Sequence, residues 1–234
     1  MTNPKGRQPK SIARQYAESI GLALILAIVL RSSFVQAYVI PSGSMEPTIL
    51  VGDHIFVNKI AYGLRIRDSI AGLPVPGLSS GMYLLHLAPI HRGDIIVFVS
   101  PRDRGVDLIK RVIGVPGDRV QVINGIVWRN GAQIPDPHAY FAPRETARSP
   151  FSPTDNFPPR NPLYPDIDPG PVVVPPGKLF AMGDNRDDSL DSRFWGFADQ
   201  NDVEGRASVI YFSWDHDAPG VLPFRWNRFG KVVD

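Results

Sequence analysis

Gly117-Asp118-Arg119-Val120-Gln121-Val122-Ile123-Asn124-Gly125-Ile126-Val127-Trp128 decides the fold. Two β-branched runs flank Asn-Gly, the dipeptide that best accepts the left-handed backbone of a tight hairpin turn. Asn130-Gly131 repeats the signal a few residues on. Upstream, Leu108 to Val115 is a second apolar run, and Gly93-Asp94 introduces a third, Ile95-Ile96-Val97-Phe98-Val99. That last run is continuous rather than alternating, the pattern of a strand buried on both faces. Gly52-Asp53 precedes a partly alternating run, Asp53 to Lys59, and strand character returns at Lys178–Met182 and Ser208–Trp214. The expected fold is mainly β, built of coiled antiparallel sheet.

The chain has 234 residues, 43% of them hydrophobic and 21% charged, enough for one large β domain with a smaller insertion. With 25 basic against 23 acidic residues the net charge is +2, which lacks the basic excess of a nucleic-acid binder. No nucleic-acid partner is expected. Cysteine is absent, which excludes thiolate catalysis and Cys-ligated zinc. His54, His86, His91, His138 and His216 show no metal-type pairing, so no metal and no organic cofactor are expected.

Organisation follows from composition. Residues 1–16 form a basic N-terminus, with Lys5, Arg7, Lys10 and Arg14 and no acid before Glu18. Ile20 to Leu30 carries no charge. A bilayer needs about 20 helical residues, and extension to Val35 supplies them if Arg31 snorkels to the headgroups. Residues 17–36 are therefore expected to form a single transmembrane helix. The basic end stays in the cytoplasm, and everything after about residue 36 lies beyond the membrane. A cleaved signal peptide cut near Ala37 and a buried core helix are the competing readings. A retained anchor is favoured because it keeps Ser44 at the membrane surface. Residues 37–130 are expected to form the first part of a β core and residues 178–234 the second. Residues 131–177, rich in proline, are the insertion. Residues 60–92 read as a flap in which Leu84, Leu85 and Leu87 offer an apolar patch toward the bilayer.

Three segments carry chemistry. In Ile40-Pro41-Ser42-Gly43-Ser44-Met45-Glu46-Pro47-Thr48, small hydroxyls bracket a glycine and prolines stiffen both sides, which presents a serine oxygen at a cleft mouth. In Leu108-Ile109-Lys110-Arg111-Val112-Ile113-Gly114, a lysine is embedded among aliphatic residues. A lysine amine can take a serine proton only if its pKa falls well below about 10.4, and burial does this because desolvation penalises the ammonium. Alternation puts Lys110 on the face of Leu108 and Val112, with Arg111 directed to solvent or a carboxylate. The ordinary alternative is a solvated Lys-Arg pair. The third segment, Gly183 to Gly196, is dense in small polar residues. Its acids Asp184, Asp187, Asp188 and Asp191 suggest calcium, but the spacing misses the calcium-loop pattern, and Arg186 and Arg193 oppose a cation. A carboxylate–arginine network bracing a catalytic floor is the better reading.

These segments, in this order behind an apolar run, resemble type I signal peptidase of bacteria, the membrane-bound Ser/Lys protease. The matching pieces are Pro41–Met45 with Pro47-Thr48, Gly52-Asp53 with Val57 and Lys59, Arg92-Gly93-Asp94 with Val97-Phe98, Ile109–Arg111 with Gly114 and Pro116–Asp118, and Gly183–Gly196. The resemblance implies that Ser44 is the nucleophile and Lys110 the general base. Ser42 and the Ser44 N–H would form the oxyanion hole. Ser189 would hydrogen-bond the Lys110 amine, and Asp191 and Arg193 would pair to brace the loop with Arg111 nearby. Tyr38, Ile40, Met45, Ile49 and Ile109 would shape shallow pockets for small residues at the first and third positions before the cut. Asp188 departs from the family's usual asparagine and is expected to point away from Lys110. The implied activity is removal of signal peptides from secreted preproteins through an acyl-serine, on the outer (periplasmic) side of the cytoplasmic membrane, with the lipid bilayer as partner. A specialised relative with a narrower substrate, a self-cleaving repressor and a non-catalytic anchored β protein are the alternatives. The repressor lacks a DNA-binding helix pair where residues 1–35 are apolar and basic.

Overall fold

The computed structural model describes residues 11–12, 14–16, 18–23, 34–65, 69–70, 73–74, 83–141, 156–158, 169–215 and 223–234. Fifteen strands follow in order: β1 (Val35–Val39), β2 (Asp53–Asn58), β3 (Gly63–Arg65), β4 (Ser69–Ile70), β5 (Leu73–Pro74), β6 (Tyr83–His86), β7 (Ile95–Val99), β8 (Asp107–Gly114), β9 (Arg119–Ile123), β10 (Ile126–Arg129), β11 (Ala132–Gln133), β12 (Val172–Val173), β13 (Lys178–Met182), β14 (Ala198–Asp199) and β15 (Val203–Ser213). A short helix, α1 (Ser192–Trp195), precedes β14.

The main sheet has seven strands in the order β1-β2-β15-β7-β8-β13-β14, and all six pairings are antiparallel. Its middle strand explains the continuous apolar run. Ile95 and Val97 of β7 enter one core cluster with Ile55 and Val57 of β2. Ile96 and Phe98 enter another with Val112 and Leu179 on the opposite face. Both faces are dry, so no polar residue interrupts the strand. By contrast β2 alternates, with Asp53, Ile55 and Val57 buried between more open neighbours.

The sheet curls because β15 is long and irregular. Its register against β2 shifts twice, between Ala207 and Val209 and between Ile210 and Phe212, and once against β7, between Val203 and Gly205. Such bulges bend a strand and increase its twist. The result brings β1, at one end of the order, round to β8: Tyr38 donates its hydroxyl to Asp107 at 3.0 Å.

A second sheet, in the order β11-β10-β9-β12, holds the sequence's two hairpins. At the β9–β10 turn Asn124 and Gly125 have φ of 50° and 78°, and Asn130 and Gly131 have 56° and 84°, the left-handed pair that the Asn-Gly signal demands. The proline-rich stretch is fastened to this sheet in its described parts. β11 pairs with β10 and β12 with β9, and Phe157 bridges Val122 within a cluster that includes Phe180 and Met182 of the main sheet.

The expected anchor lies largely outside the described residues. Residues 18–23 are helical, and Ile20 and Leu22 are exposed, so this stretch is not a buried core helix. Among the described residues no helix is long and apolar enough to cross a membrane.

Candidate active site

Ser44 lies in a single helical turn, Gly43–Met45, between β1 and β2. Apolar anchors fix that turn. Ile40, Met45 and Ile49 are buried in the core cluster beneath it, Ile49 donates its N–H to the Met45 carbonyl, and Ile40 is paired to both Gly52 and Asp53 through the backbone. Ser44 itself is buried. Opposite, β8 carries Lys110, which is 3% exposed. Its ammonium donates to Ser44 Oγ at 2.8 Å and to the Ile109 carbonyl at 2.9 Å.

Burial pulls the Lys110 pKa down from 10.5 to about 8. The carboxylates of Asp191 and Asp184 oppose that fall, the Arg193 cation assists it, and Asp188 opposes it weakly. Asp188 is half-buried, and its charge is the weakest of these influences on the amine. At mildly alkaline pH the amine is therefore neutral. The 2.8 Å contact then runs in reverse, with the Ser44 hydroxyl donating to the amine lone pair. A base in hydrogen-bond reach of an alcohol is the arrangement nucleophilic catalysis needs.

The loop Gly183–Asp191 holds the two together. Asp191 caps α1 by accepting from the Arg193 N–H, and its other oxygen accepts from Gly183 N–H at 3.1 Å. Arg193 pairs with Asp191 at 2.9 Å, both side chains fully buried. Arg111 grips Asp184 with two bonds, 2.8 and 2.7 Å, and Thr48 donates to the same carboxylate at 2.6 Å. Arg111 thus faces a carboxylate and not solvent. Asn185 donates its backbone N–H to the Ser44 carbonyl and its side-chain amide to the Gly43 carbonyl, each at 3.2 Å. That clamp on the Ser44 turn has no sequence signature beyond its place in the polar loop.

The matched family model, described as signal peptidase, peptidase S26, covers residues 13–214. The chain belongs to this family. A signal peptidase I of Pseudomonas fluorescens is 32% identical over 93% of this chain and 78% of its own length. A probable signal peptidase I-1 of Synechocystis is 32% identical over 100% of this chain and 95% of its own. Signal peptidase I P of Bacillus subtilis subsp. natto is 28% identical over 91% and 95% respectively.

In this signal peptidase the remaining candidates fall as follows. Ser42 is exposed and extended, immediately before the Ser44 turn. Ser189 is fully buried, but its hydroxyl makes no hydrogen bond. This corrects the expectation that it bonds Lys110: the amine's contacts are with Ser44 and Ile109, and the Ser189 hydroxyl is turned against Gly183 instead. Of the five pocket candidates, Met45 and Ile49 are completely buried and Ile40 nearly so, while Tyr38 and Ile109 remain half-open against the same cluster. The first three form a closed floor and the last two a rim. No group of residues suited to a metal occurs among the described residues.

Gly183 is required by space. A Cβ there would stand 2.4 Å from the Ser44 carbonyl oxygen and 2.3 Å from Ser189 Oγ. The Ser44 oxygen is main chain and cannot swing aside, so Gly183→Ala must push the Ser44 turn off the loop. Expected is a kcat loss of about 100-fold with a folded protein, because a displacement near 1 Å at the reacting group costs that much. Turnover within threefold of wild type would show that the turn yields freely.

Proposed function

We propose that this signal peptidase hydrolyses the peptide bond after signal peptides of secreted preproteins, with Ser44 as nucleophile and Lys110 as its base. The observation that carries the reading is the 2.8 Å contact between Lys110 Nζ and Ser44 Oγ in a site that excludes water. Neutral Lys110 takes the Ser44 proton as Oγ attacks the carbonyl carbon. The oxyanion is held by the Ser44 N–H and the Ser42 hydroxyl, an arrangement that typically contributes a few kcal/mol. The ammonium then returns its proton to the leaving amine. Water, deprotonated by the same amine, opens the acyl-serine and restores both groups.

The substrate is proposed to bind extended, as an added strand between β1 and the start of β8. Two observations support this. β1 ends the sheet order, and β8 pairs with β13 only from Arg111 onward, so that among the described residues no strand lies along that edge beside Asp107–Lys110. The closed floor of Met45 and Ile49 and the Tyr38–Asp107 bond leave little depth. Side chains at the first and third positions before the cut are therefore small. Residues 17–36 anchor the enzyme as a single span, with the N-terminus cytoplasmic and the β domain beyond the cytoplasmic membrane. Leu64, Leu85 and Leu87 are exposed, which supports a flap that meets the bilayer.

The test uses the full chain in detergent with a preprotein bearing alanine at both positions. Ser44→Ala is expected to lose cleavage while still binding the preprotein, and leucine at the position before the cut is expected to block cleavage by wild type. Cleavage by Ser44→Ala at the wild-type rate would refute the reading.

A further inference from the structure

The start of the proline-rich stretch touches the back of the loop whose front holds Ser44. Ile134 leaves the second sheet after donating its N–H to the Val127 carbonyl. The chain then turns at Asp136, whose carboxylate and carbonyl accept from the His138 and Ala139 amides. Tyr140 donates its N–H to the Asp184 carbonyl at 2.7 Å, and its own carbonyl accepts from the Arg186 N–H at 2.8 Å. Between those two bonds lies Asn185, the residue that clamps Gly43 and Ser44.

An ion pair between buried Arg186 and partly exposed Asp136 adds a third attachment. Arg186 is 1% exposed and is the largest fully enclosed side chain among the described residues. Its Nη2 donates to Asp136 in a short bond, and its Nε donates to the Gly183 carbonyl at 3.0 Å. Its own carbonyl accepts from Arg193 at 2.8 Å. The segment Gly183–Arg186 is thus a plate. Asp136 and Tyr140 grip it from behind, while Ser44, Thr48 and Arg111 rest on its front.

We propose that Asp136, acting through Arg186, is a positioning residue for the catalytic pair: it fixes the plate that sets Ser44 against Lys110. The inference rests on the Ser44/Lys110 reading above. Lys110 is carried by β8 and does not depend on the plate for its own backbone, whereas the Ser44 turn does. Losing the Asp136 carboxylate leaves the Arg186 cation buried without its partner. The plate then shifts toward water, Ser44 moves relative to the amine, and the cover over Lys110 loosens. The groove proposed for substrate, between β1 and the start of β8, belongs to other elements.

Asp136→Asn is therefore expected to lower kcat by about 10- to 100-fold, with KM within about twofold. The acid limb of the kcat profile is expected to move to higher pH as water reaches the amine. Asp136→Glu, which keeps the charge, is expected to restore most of the rate. The double variant Asp136→Asn/Arg186→Met has no stranded cation but still lacks the attachment of the plate to Asp136; it is expected to fold and to lose kcat by about 10-fold, and it carries the test if the single variant does not fold. Full kcat in either folded variant overturns the proposal, as does a rise in KM alone or a rate loss with an unmoved acid limb. Wild type and Ser44→Ala run beside them. Failure of wild type to cleave the preprotein, or cleavage by Ser44→Ala, counts against the catalytic reading and is read separately from the Asp136 result.

Discussion

Replacing Lys110 with methionine is expected to remove turnover, by about 1,000-fold or more, without unfolding the protein. General bases of this kind contribute 10²–10⁴-fold, and losing one member of a nucleophile–base pair costs nearly as much as losing both. In wild type, kcat should rise tenfold per pH unit and level off above about 8, the value to which burial brings the amine. A second readout comes from stability. The folded amine titrates near 8 and the free one near 10.5, so between those values the unfolded chain binds a proton that the folded chain does not. Wild-type stability therefore rises with pH across that window, and the burial penalty is fully present below it. Methionine has no such penalty and fits the same apolar space. Relative to Lys110→Met, wild type should gain roughly 2 kcal/mol between pH 7 and pH 10. Denaturant melts of both proteins across that range measure it. Parallel stability curves, or a rate profile flat through pH 8, would mean that the amine is not desolvated as the structure has it.

What the sequence disclosed and what it hid divide by the range of the interaction. The Asn124-Gly125 turn and the two-faced burial of Ile95–Val99 are local properties, set by backbone conformation and by what neighbours exclude. Both are found as expected. Ser44 and Lys110 were legible because each sits in a short, compositionally odd segment. The curl that unites them was not. It arises from register shifts along β15 that no alternation pattern in Val203–Ser213 announces. The polar loop was expected to be a carboxylate–arginine network, and Asp191 pairs with Arg193 two residues on, but the partners of Arg111 and Arg186, Asp184 and Asp136, lie 73 and 50 residues away in sequence. Val233 lies in the first core cluster, and Arg111 donates to the Asp234 backbone carbonyl. A polar-looking Gly230-Lys231-Val232-Val233-Asp234 gives no hint of that. Ser189 shows the reverse failure. A role assigned by likeness did not fix its rotamer, and its hydroxyl is unpartnered.

Asp191→Asn is expected to be the most destabilising single polar change in the site. The carboxylate pairs with Arg193 through both oxygens, at 2.9 and 3.0 Å, caps α1 through the Arg193 amide and accepts from Gly183. Both partners are wholly shielded from solvent. Removing one member of such a pair strands the other charge in a dry site, which costs about 3–5 kcal/mol. For a chain of this size that lowers Tm by about 10 °C. Arg193 already holds one guanidinium nitrogen, Nη1, without a partner, so little else is at hand to take up the lost charge. Asparagine keeps the shape and one acceptor, so the protein should still fold at 20 °C. The double variant Asp191→Asn/Arg193→Met should recover part of the loss, because the stranded cation is gone. The residual activity of the single variant carries a sign. Asp191 is the largest charge holding the Lys110 pKa up, and Arg193 pushes it down. With the anion neutralised and the cation kept, the amine loses its proton more readily, and the acid limb of kcat moves below pH 8. The shift is opposite to that expected for Asp136→Asn, where water enters instead. A Tm within 2 °C of wild type together with an unmoved limb would show that this pair neither braces the loop nor tunes the base.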